Sequence, residues 1–261
     1  MERLINYFQE KKADKICIAF SGGVDSSLLL KLATIYHKNV CAATFETVLH
    51  PSIDLVIAKK MTEEMQVEHH VLHINELDDK EILNNPVDRC YRCKSMLFVK
   101  LKEFCAQRGI RYVIDGTNVD DLAEYRPGIR ALKEQGIESP LALLGITKKE
   151  VRKMAEELEV LVAKRPSAPC LATRLPYNTK IDLELLAKIE KGEDYLKSIG
   201  LEVNRIRVHE EIARIEILPV NFPTVIEHRT EIIRKLKEIG FLYITLDLEG
   251  FRSGSMDIHL K

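Results

Sequence analysis

The sequence lacks a surplus of charge of either sign. Its 261 residues carry 39 Lys and Arg against 40 Asp and Glu, a formal net charge of −1. No uniform field therefore draws nucleic acid, and no recognisable RNA-binding module is present. The chain also lacks an apolar run long enough to span a bilayer. Its opening residues, Met1-Glu2-Arg3-Leu4-Ile5-Asn6-Tyr7-Phe8, lack the apolar core of a signal peptide. A soluble cytoplasmic protein with reduced thiols is expected. Internal repeats and low-complexity segments are missing too. The length fits one large domain or two modest ones, with core enough to fold without disulfide or metal staples.

What is present begins with Ser21-Gly22-Gly23-Val24-Asp25-Ser26-Ser27. This stretch lies between an apolar run, Ile16–Phe20, and a helical pattern, Ser27–Tyr36. A strand, a small-residue loop and a helix start in that order make an anion site. The glycines let the backbone turn and approach a ligand closely. The N–H groups and positive dipole end of the helix then face the anion. A plain glycine turn with Asp25 or Ser26 as helix cap is the blander alternative. The loop has no Gly-Lys-Ser/Thr ending of the Walker A type, which grips the β/γ-phosphates. SGGVDSS resembles instead the pyrophosphate loop (PP-loop) of the N-type ATP pyrophosphatases. Those enzymes split ATP into AMP and pyrophosphate, usually through an adenylated substrate.

Strand-like runs at Ile16–Phe20, Asn39–Phe45, His70–Ile74 and Arg111–Asp115 alternate with helical patterns at Ser27–Tyr36, Ile53–Met65, Cys93–Gln107 and Lys148–Leu158. That alternation predicts βαβ units and a parallel sheet covered on both faces. Ligands in such sheets bind at the carboxyl ends of strands. Both SGGVDSS and the segment Asp115-Gly116-Thr117-Asn118-Val119-Asp120-Asp121 fall there. Thr147-Lys148-Lys149-Glu150 is a capping box, read as structural. The Pro-rich stretch Lys164–Tyr177 is a loop or linker carrying Cys170 among positive charges. Beyond it, a helix at Leu183–Ile199, strands at Glu202–Val208 and Ala213–Leu218, a helix at Pro223–Ile239 and a strand at Phe241–Leu248 suggest a small α+β domain. The expected division is 1–177 for an α/β PP-loop domain of the adenine nucleotide α-hydrolase type and 178–261 for the α+β domain.

Of the six cysteines, Cys17, Cys41 and Cys105 read as small buried hydrophobes. Cys90, Cys93 and Cys170 sit in polar or Pro-rich segments without core periodicity. Cys90-Tyr91-Arg92-Cys93 fits a redox pair, half a zinc site or part of an iron–sulfur site. A structural zinc wants four ligands, whereas three thiolates on a 4Fe–4S cluster leave one iron open. Arg89, Arg92, Lys94, Arg165 and Arg174 crowd these thiols and would hold an anionic substrate near them, unless they form only a solvated basic surface.

Taken in order, SGGVDSS, Pro86–Lys94, DGTNVDD, Tyr125-Arg126-Pro127-Gly128, Ser139-Pro140-Leu141, Pro169–Arg174, His209–Glu216 and Leu246–Arg252 resemble the LarE sulfur transferases over nearly the full length. The resemblance implies adenylation of a carboxylate on a pyridinium dicarboxylate mononucleotide and its conversion to a thiocarboxylate, in building the nickel-pincer nucleotide cofactor. Cys170 matches the sulfur-donating cysteine of single-cysteine members, which are left with dehydroalanine. Cys90 and Cys93 make the chain similar to the three-cysteine members. There Cys90, Cys93 and Cys170 would hold a 4Fe–4S cluster, and an external sulfide donor would supply the sulfur. Glu193 is similar in placement to a family active-site glutamate, and the family forms homo-oligomers.

In this reading Ser21, Gly22, Gly23, Asp25, Ser26 and Ser27 bind the pyrophosphate of ATP, with Gly116, Asn118 and Asp121 at the neighbouring strand end. Asp25 or Asp121 holds Mg²⁺ through water. Arg126 and Arg130, with Arg205, Arg207 and Arg214 in the tail, bind the substrate phosphate. Cys170, Asp25 and Glu193 are the candidate catalytic set. A solvated strand face is the blander reading of Arg205 and Arg207. Three rivals remain. A tRNA-thiolating enzyme would bind RNA in a salt-sensitive way, an amide-forming synthetase would leave the three cysteines unexplained, and a non-enzymatic scaffold would release no pyrophosphate.

Overall fold

A computed structural model describes residues 1–11, 13–37, 39–123, 126–166, 168–252 and 254–256. Tyr125 and Ser167, and residues 257–261 of the expected tail domain, lie outside the described residues. The chain forms two compact units, one of Met1–Ile82 with Asp88–Ala168 and one of Leu83–Val87 with Pro169–Lys261.

In the first unit, α1 (Glu2–Glu10), β1 (Ile16–Ala19), α2 (Val24–Tyr36), β2 (Val40–Thr47), α3 (Ser52–Glu64) and β3 (Glu68–Ile74) alternate, followed by the short α4 (Lys80–Leu83) at its edge. Then come α5 (Arg89–Ala106), β4 (Tyr112–Ile114), α6 (Val119–Ala123), α7 (Gly128–Glu134), α8 (Pro140–Leu143) and α9 (Lys148–Glu157). The strands form the expected parallel sheet, in the order β3-β2-β1-β4. Successive side chains along a strand point to opposite faces. Ile16, Ile18 and Ala42 meet Leu4, Phe8, Leu28 and Val151 on one face, from α1, α2 and α9. Cys17, Cys41 and Ala43 meet Leu97, Leu101 and Cys105 of α5 on the other. Burial on both faces is why these strands read as near-continuous apolar runs. Hydrogen bonding to the neighbouring thiols of Cys105 and Cys41, together with burial, pushes the Cys17 thiol well up, as suits an inert core group.

Chain order and spatial order part between β1 and β4. Strands 1, 2 and 3 run outward one way, and β4 returns to the other side of β1. The loops leaving β1 and β4 therefore start side by side at the carboxyl ends of neighbouring strands, the place where such sheets bind ligands.

In the second unit, α10 (Leu183–Ser198) precedes β5 (Asn204–His209), β6 (Ile212–Ile217), α11 (Phe222–Glu227), α12 (Arg229–Ile239) and β7 (Tyr243–Leu246). β5 and β6 are antiparallel, β6 and β7 parallel. Residues 83–87 belong here because Ile181 N donates to Leu83 O at 2.8 Å and Asn178 N to Asn85 O at 2.9 Å. Gly192 lets β5 approach α10, since a Cβ there would lie 2.6 Å from Ile206 Cδ1.

Two expectations are corrected, and one helix is added. The helix expected from Cys93 begins at Arg89, so Cys90 and Cys93 share its first turn. Cys93 packs, partly buried, against the core face that holds Leu97 and Leu101, and Arg89 is buried beside Cys90. The helix expected over Pro223–Ile239 is two, parted at His228. An unexpected helix, α1, buries Leu4 and Phe8 completely. Truncating Phe8 to Ala is expected to destabilise the first unit by about 3–5 kcal/mol. A denaturant titration that found less than about 1 kcal/mol would place α1 outside the core.

Candidate active site

The loop after β1 turns at Gly22, whose φ is +68°. A Cβ there would stand 3.1 Å from Asp54 O and 3.4 Å from Ala58 N, so α3 closes over the turn and admits only glycine. Gly23 is the N-cap of α2 and has no side chain to offer. The first N–H groups of any helix lack intrahelical partners. The serines knit the turn together. Gly23 N donates to Ser21 Oγ at 3.3 Å, Ser26 Oγ donates to Gly23 O at 3.2 Å, and the two hydroxyls stand 3.2 Å apart. Ser27 is placed elsewhere. It is fully buried, with its hydroxyl 3.7 Å from Met61 Sδ in α3.

The loop after β4 packs on the same helix start. A Cβ on Gly116 would lie 2.8 Å from Ser26 N and 3.0 Å from Asp25 Cβ. Asp115 anchors this loop, accepting from Thr117 Oγ1 at 2.6 Å and Ser139 Oγ at 2.5 Å. Asn118 is buried and bridges the two loops. Its Nδ2 donates to Asp25 Oδ1 at 3.2 Å, and its Oδ1 accepts from Asp120 N at 3.0 Å and Asp121 N at 3.3 Å. Asp121 in turn accepts from Asn118 N at 3.0 Å and pairs with Arg126 at 2.7 Å. Burial raises the Asp121 carboxyl above the usual range, and the nearby Asp25 charge adds to this, while Asn118 N–H and Arg126 pull it back.

Lys148 was overlooked in the sequence. The capping box at Thr147 forms as expected, and it sets the first residue of α9 where the Lys148 ammonium pairs with Asp25 Oδ2. Lys148 N donates to Asp120 Oδ2 at 2.7 Å. Asp25 therefore sits at the positive end of α2 with an amide on one oxygen and an ammonium on the other. The only signal available was a Lys beside a capping Thr, common on any solvated helix.

Cys90 and Cys93 lie three residues apart in the first turn of α5, so they share one face. Arg89 is buried and its Nη2 stands 3.7 Å from Cys90 Sγ. Gly128, at the start of α7, is forced against this turn, since a Cβ would meet Lys94 Cδ at 2.7 Å and Cys90 O at 3.3 Å. Arg130 extends over the Tyr91 ring at 3.8 Å and pairs with Glu134 at 3.1 Å, exposed to solvent.

Cys170 belongs to the second unit. It is partly exposed, at the start of a 3₁₀ turn over Leu171–Arg174. Arg174, 1% exposed, forms a bidentate pair with Glu193 at 2.8 Å on both arms. Its Nη1 donates to Pro169 O at 2.9 Å, Cys170 O at 3.2 Å and Thr173 Oγ1 at 3.0 Å. Arg207 Nη1 donates to Thr173 O at 2.6 Å, while its Nε pairs with Glu216 at 3.1 Å. Arg214 pairs with Glu216 at 3.0 Å and Asp247 at 3.4 Å. Arg205 Nη1 donates to Asn204 O at 2.6 Å, with its guanidinium 5.3 Å from the Phe251 ring. Cys170, Glu193, Arg205, Arg207 and Arg214 are thus gathered in one unit. Burial followed by the Arg174 charge lowers Arg205 to about 10. Burial pushes Glu193 up, but the hydrogen bonds and charge of Arg174 outweigh it and leave the carboxyl below the usual range.

Arg205 and Arg207 are buried, which removes the reading of a solvated strand face. Glu193 had a sequence signal. It falls three and four residues from Leu196 and Ile189, on the buried stripe of α10, where an unpaired carboxylate would be costly. Among the described residues, no group of three or more His, Cys, Asp or Glu side chains stands together as a metal-holding set. No helix among them is long and apolar enough to cross a membrane.

A parallel α/β sheet with a glycine–serine anion loop at its switch point defines a PP-loop nucleotide enzyme. Residues 11–116 match the asparagine synthase family. Among curated relatives, pyridinium-3,5-bisthiocarboxylic acid mononucleotide synthase of Lactiplantibacillus plantarum is 33% identical over 95% of this chain and 90% of its own. Uncharacterised proteins of Synechocystis and Methanocaldococcus jannaschii are 38% and 35% identical, over 98% and 96% of this chain and 96% of each relative. The chain belongs to the LarE family of ATP-dependent sulfur-transferring enzymes.

Replacing Lys148 with Ala is expected to slow ATP-dependent pyrophosphate release about a hundredfold, the usual cost of one preorganised charge-stabilising donor. Lys149→Ala, on the exposed side of α9, serves as the control. Equal rates in the two variants would remove Lys148 from the site.

Proposed function

We propose that this enzyme adenylates a carboxylate of a pyridinium-type mononucleotide and replaces the adenylate by sulfur, giving a thiocarboxylate for nickel-pincer nucleotide cofactor synthesis. The observation that carries the proposal is the meeting of the β1 and β4 loops on Asp25, with Lys148 and Asn118 as its partners. The kinship with a bisthiocarboxylic acid mononucleotide synthase supports the choice of substrate.

In the first step a carboxylate oxygen attacks the α-phosphorus and pyrophosphate leaves. The N–H groups at the start of α2 would face the leaving group, and Lys148 would exchange Asp25 for a phosphate oxygen. Ser21, Ser26, Gly116, Asn118 and Asp121 line or brace this place. Asp25 would hold Mg²⁺, which supplies charge neutralisation to the pyrophosphate. Arg126, exposed beside Asp121, Arg130, exposed on α7, and Arg214, partly exposed in the second unit, are the guanidiniums open to a substrate phosphate.

In the second step a sulfur nucleophile attacks the acyl carbon, the bond to the phosphate oxygen breaks and AMP departs. Cys170 marks the sulfur site. Cys90 and Cys93 share a helical face at the positive end of α5, which suits anionic ligation. With Cys170 they would complete the ligand set of a 4Fe–4S cluster. Such a cluster, when bound, supplies an iron open to sulfide. The chain acts as a homo-oligomer with an external sulfide donor in this proposal.

Anaerobic purification followed by iron and sulfide analysis tests the ligand set. About four of each per chain are expected, with the visible absorption lost in Cys90→Ala, Cys93→Ala and Cys170→Ala. A colourless protein with one tight zinc would falsify the cluster. Intact mass after turnover tests the sulfur source. Loss of the elements of hydrogen sulfide from Cys170 would show that the protein surrenders its own sulfur.

A further inference from the structure

The turn at Cys170 is held from within by charge. Arg174 offers five N–H donors in one plane. Nε and Nη2 go to the two oxygens of Glu193, and Nη1 reaches Pro169 O, Cys170 O and Thr173 Oγ1. The Cys170 carbonyl also accepts from Thr173 Oγ1 at 2.8 Å and Thr173 N at 3.1 Å. Three donors thus converge on one carbonyl of the thiol-bearing residue. Arg207 Nη1 holds the carbonyl of Thr173, three residues on, while its Nε is tied to Glu216. Glu193 Oε1 takes a further bond from Ile206 N at 3.0 Å, fixing the clamp to β5.

We propose that Arg174, clamped by Glu193, is a positioning residue that fixes the Cys170 turn for sulfur transfer. Four of its donors are spent on carboxylate and backbone, so its task is orientation and not substrate binding. Glu193 acts through Arg174 in the same way. A guanidinium is required, because a lysine ammonium is a point donor that cannot span a carboxylate and two carbonyls together. The inference rests on the reading of Cys170 as the sulfur site. Placement matters there, since an error of about 1 Å in a reacting group costs on the order of a hundredfold in rate.

The test compares Arg174→Lys and Thr173→Val in the full chain with wild type and with Arg234→Ala, a change in an exposed helical pair. Thr173→Val keeps the shape and removes only the hydroxyl bonds, so it guards against loss of folding in the Lys variant. Two quantities are read: hydrogen exchange at the Thr173 and Leu175 amides, and steady-state transfer of sulfur to the adenylated substrate. Both variants are expected to exchange faster at these amides. Their kcat for transfer falls about a hundredfold for Arg174→Lys and about tenfold for Thr173→Val, with KM within about twofold. Arg234→Ala matches wild type. Wild-type kcat in variants whose turn exchanges faster would overturn the proposal, as would unchanged exchange in both. If wild type itself releases pyrophosphate but transfers no sulfur, the functional reading fails, while the exchange comparison still decides whether Arg174 holds the turn.

Discussion

The backbone of Gly116 lies so close to the first turn of α2 that no side chain fits between them. The rest of the first site depends on that contact. It brings the loop after β4 to the loop after β1, sets Asn118 against Asp25, and puts Asp121 in the same corner. Neither loop alone makes an active centre. The loop after β1 supplies backbone donors and a carboxylate at the positive end of a helix, and the loop after β4 supplies the groups that orient that carboxylate. A third segment, the start of α9, contributes Lys148. The sheet order makes the convergence possible, because β1 and β4 are neighbours whose connections leave in different directions.

The second unit solves a different problem. It buries Arg174, Arg205 and Arg207 with Glu193 and Glu216. Burying a charge costs several kcal/mol even after relaxation, and such a set is tolerable only when its geometry is complete. Removing one partner typically costs about 3–5 kcal/mol, because the other is left uncompensated. The carbonyls of Pro169, Cys170 and Thr173 take further donors of Arg174 and Arg207, so the turn that carries Cys170 is part of the charge compensation. Thiol placement and stability of the core are thereby coupled.

The parallel sheet was legible because β1 and β2 are covered on both faces and read as unbroken apolar runs. The two glycine-bearing loops were legible because a strand, small residues and a helix start form a local pattern. What escaped the sequence was set by long-range pairing. Lys148 looks like any first-turn lysine until α9 docks near Asp25. Arg205 and Arg207 alternate with Ile206 and Val208, the pattern of a half-solvated strand, yet both faces are covered. The start of α5 was missed because Arg89–Arg92 shows no apolar stripe, whereas α1 carries Leu4, Ile5 and Phe8 at helical spacing over only nine residues.

The two halves of the chemistry ask opposite things of their charged groups. In the proposed adenylation, Asp25 and Lys148 would change partners when nucleotide enters. Their side chains are 20% and 30% exposed, and a pair so near solvent is worth about 1 kcal/mol or less. Water and phosphate can therefore replace the pair at small cost. In the proposed sulfur transfer, Cys170 would have to keep its place. Arg174 and Glu193 are 2% and 5% exposed at the side chain, and separating them would strand two charges away from water. The difference between about 1 and about 3–5 kcal/mol corresponds to at least tenfold in the population of a separated pair. It makes the first constellation exchangeable and the second fixed.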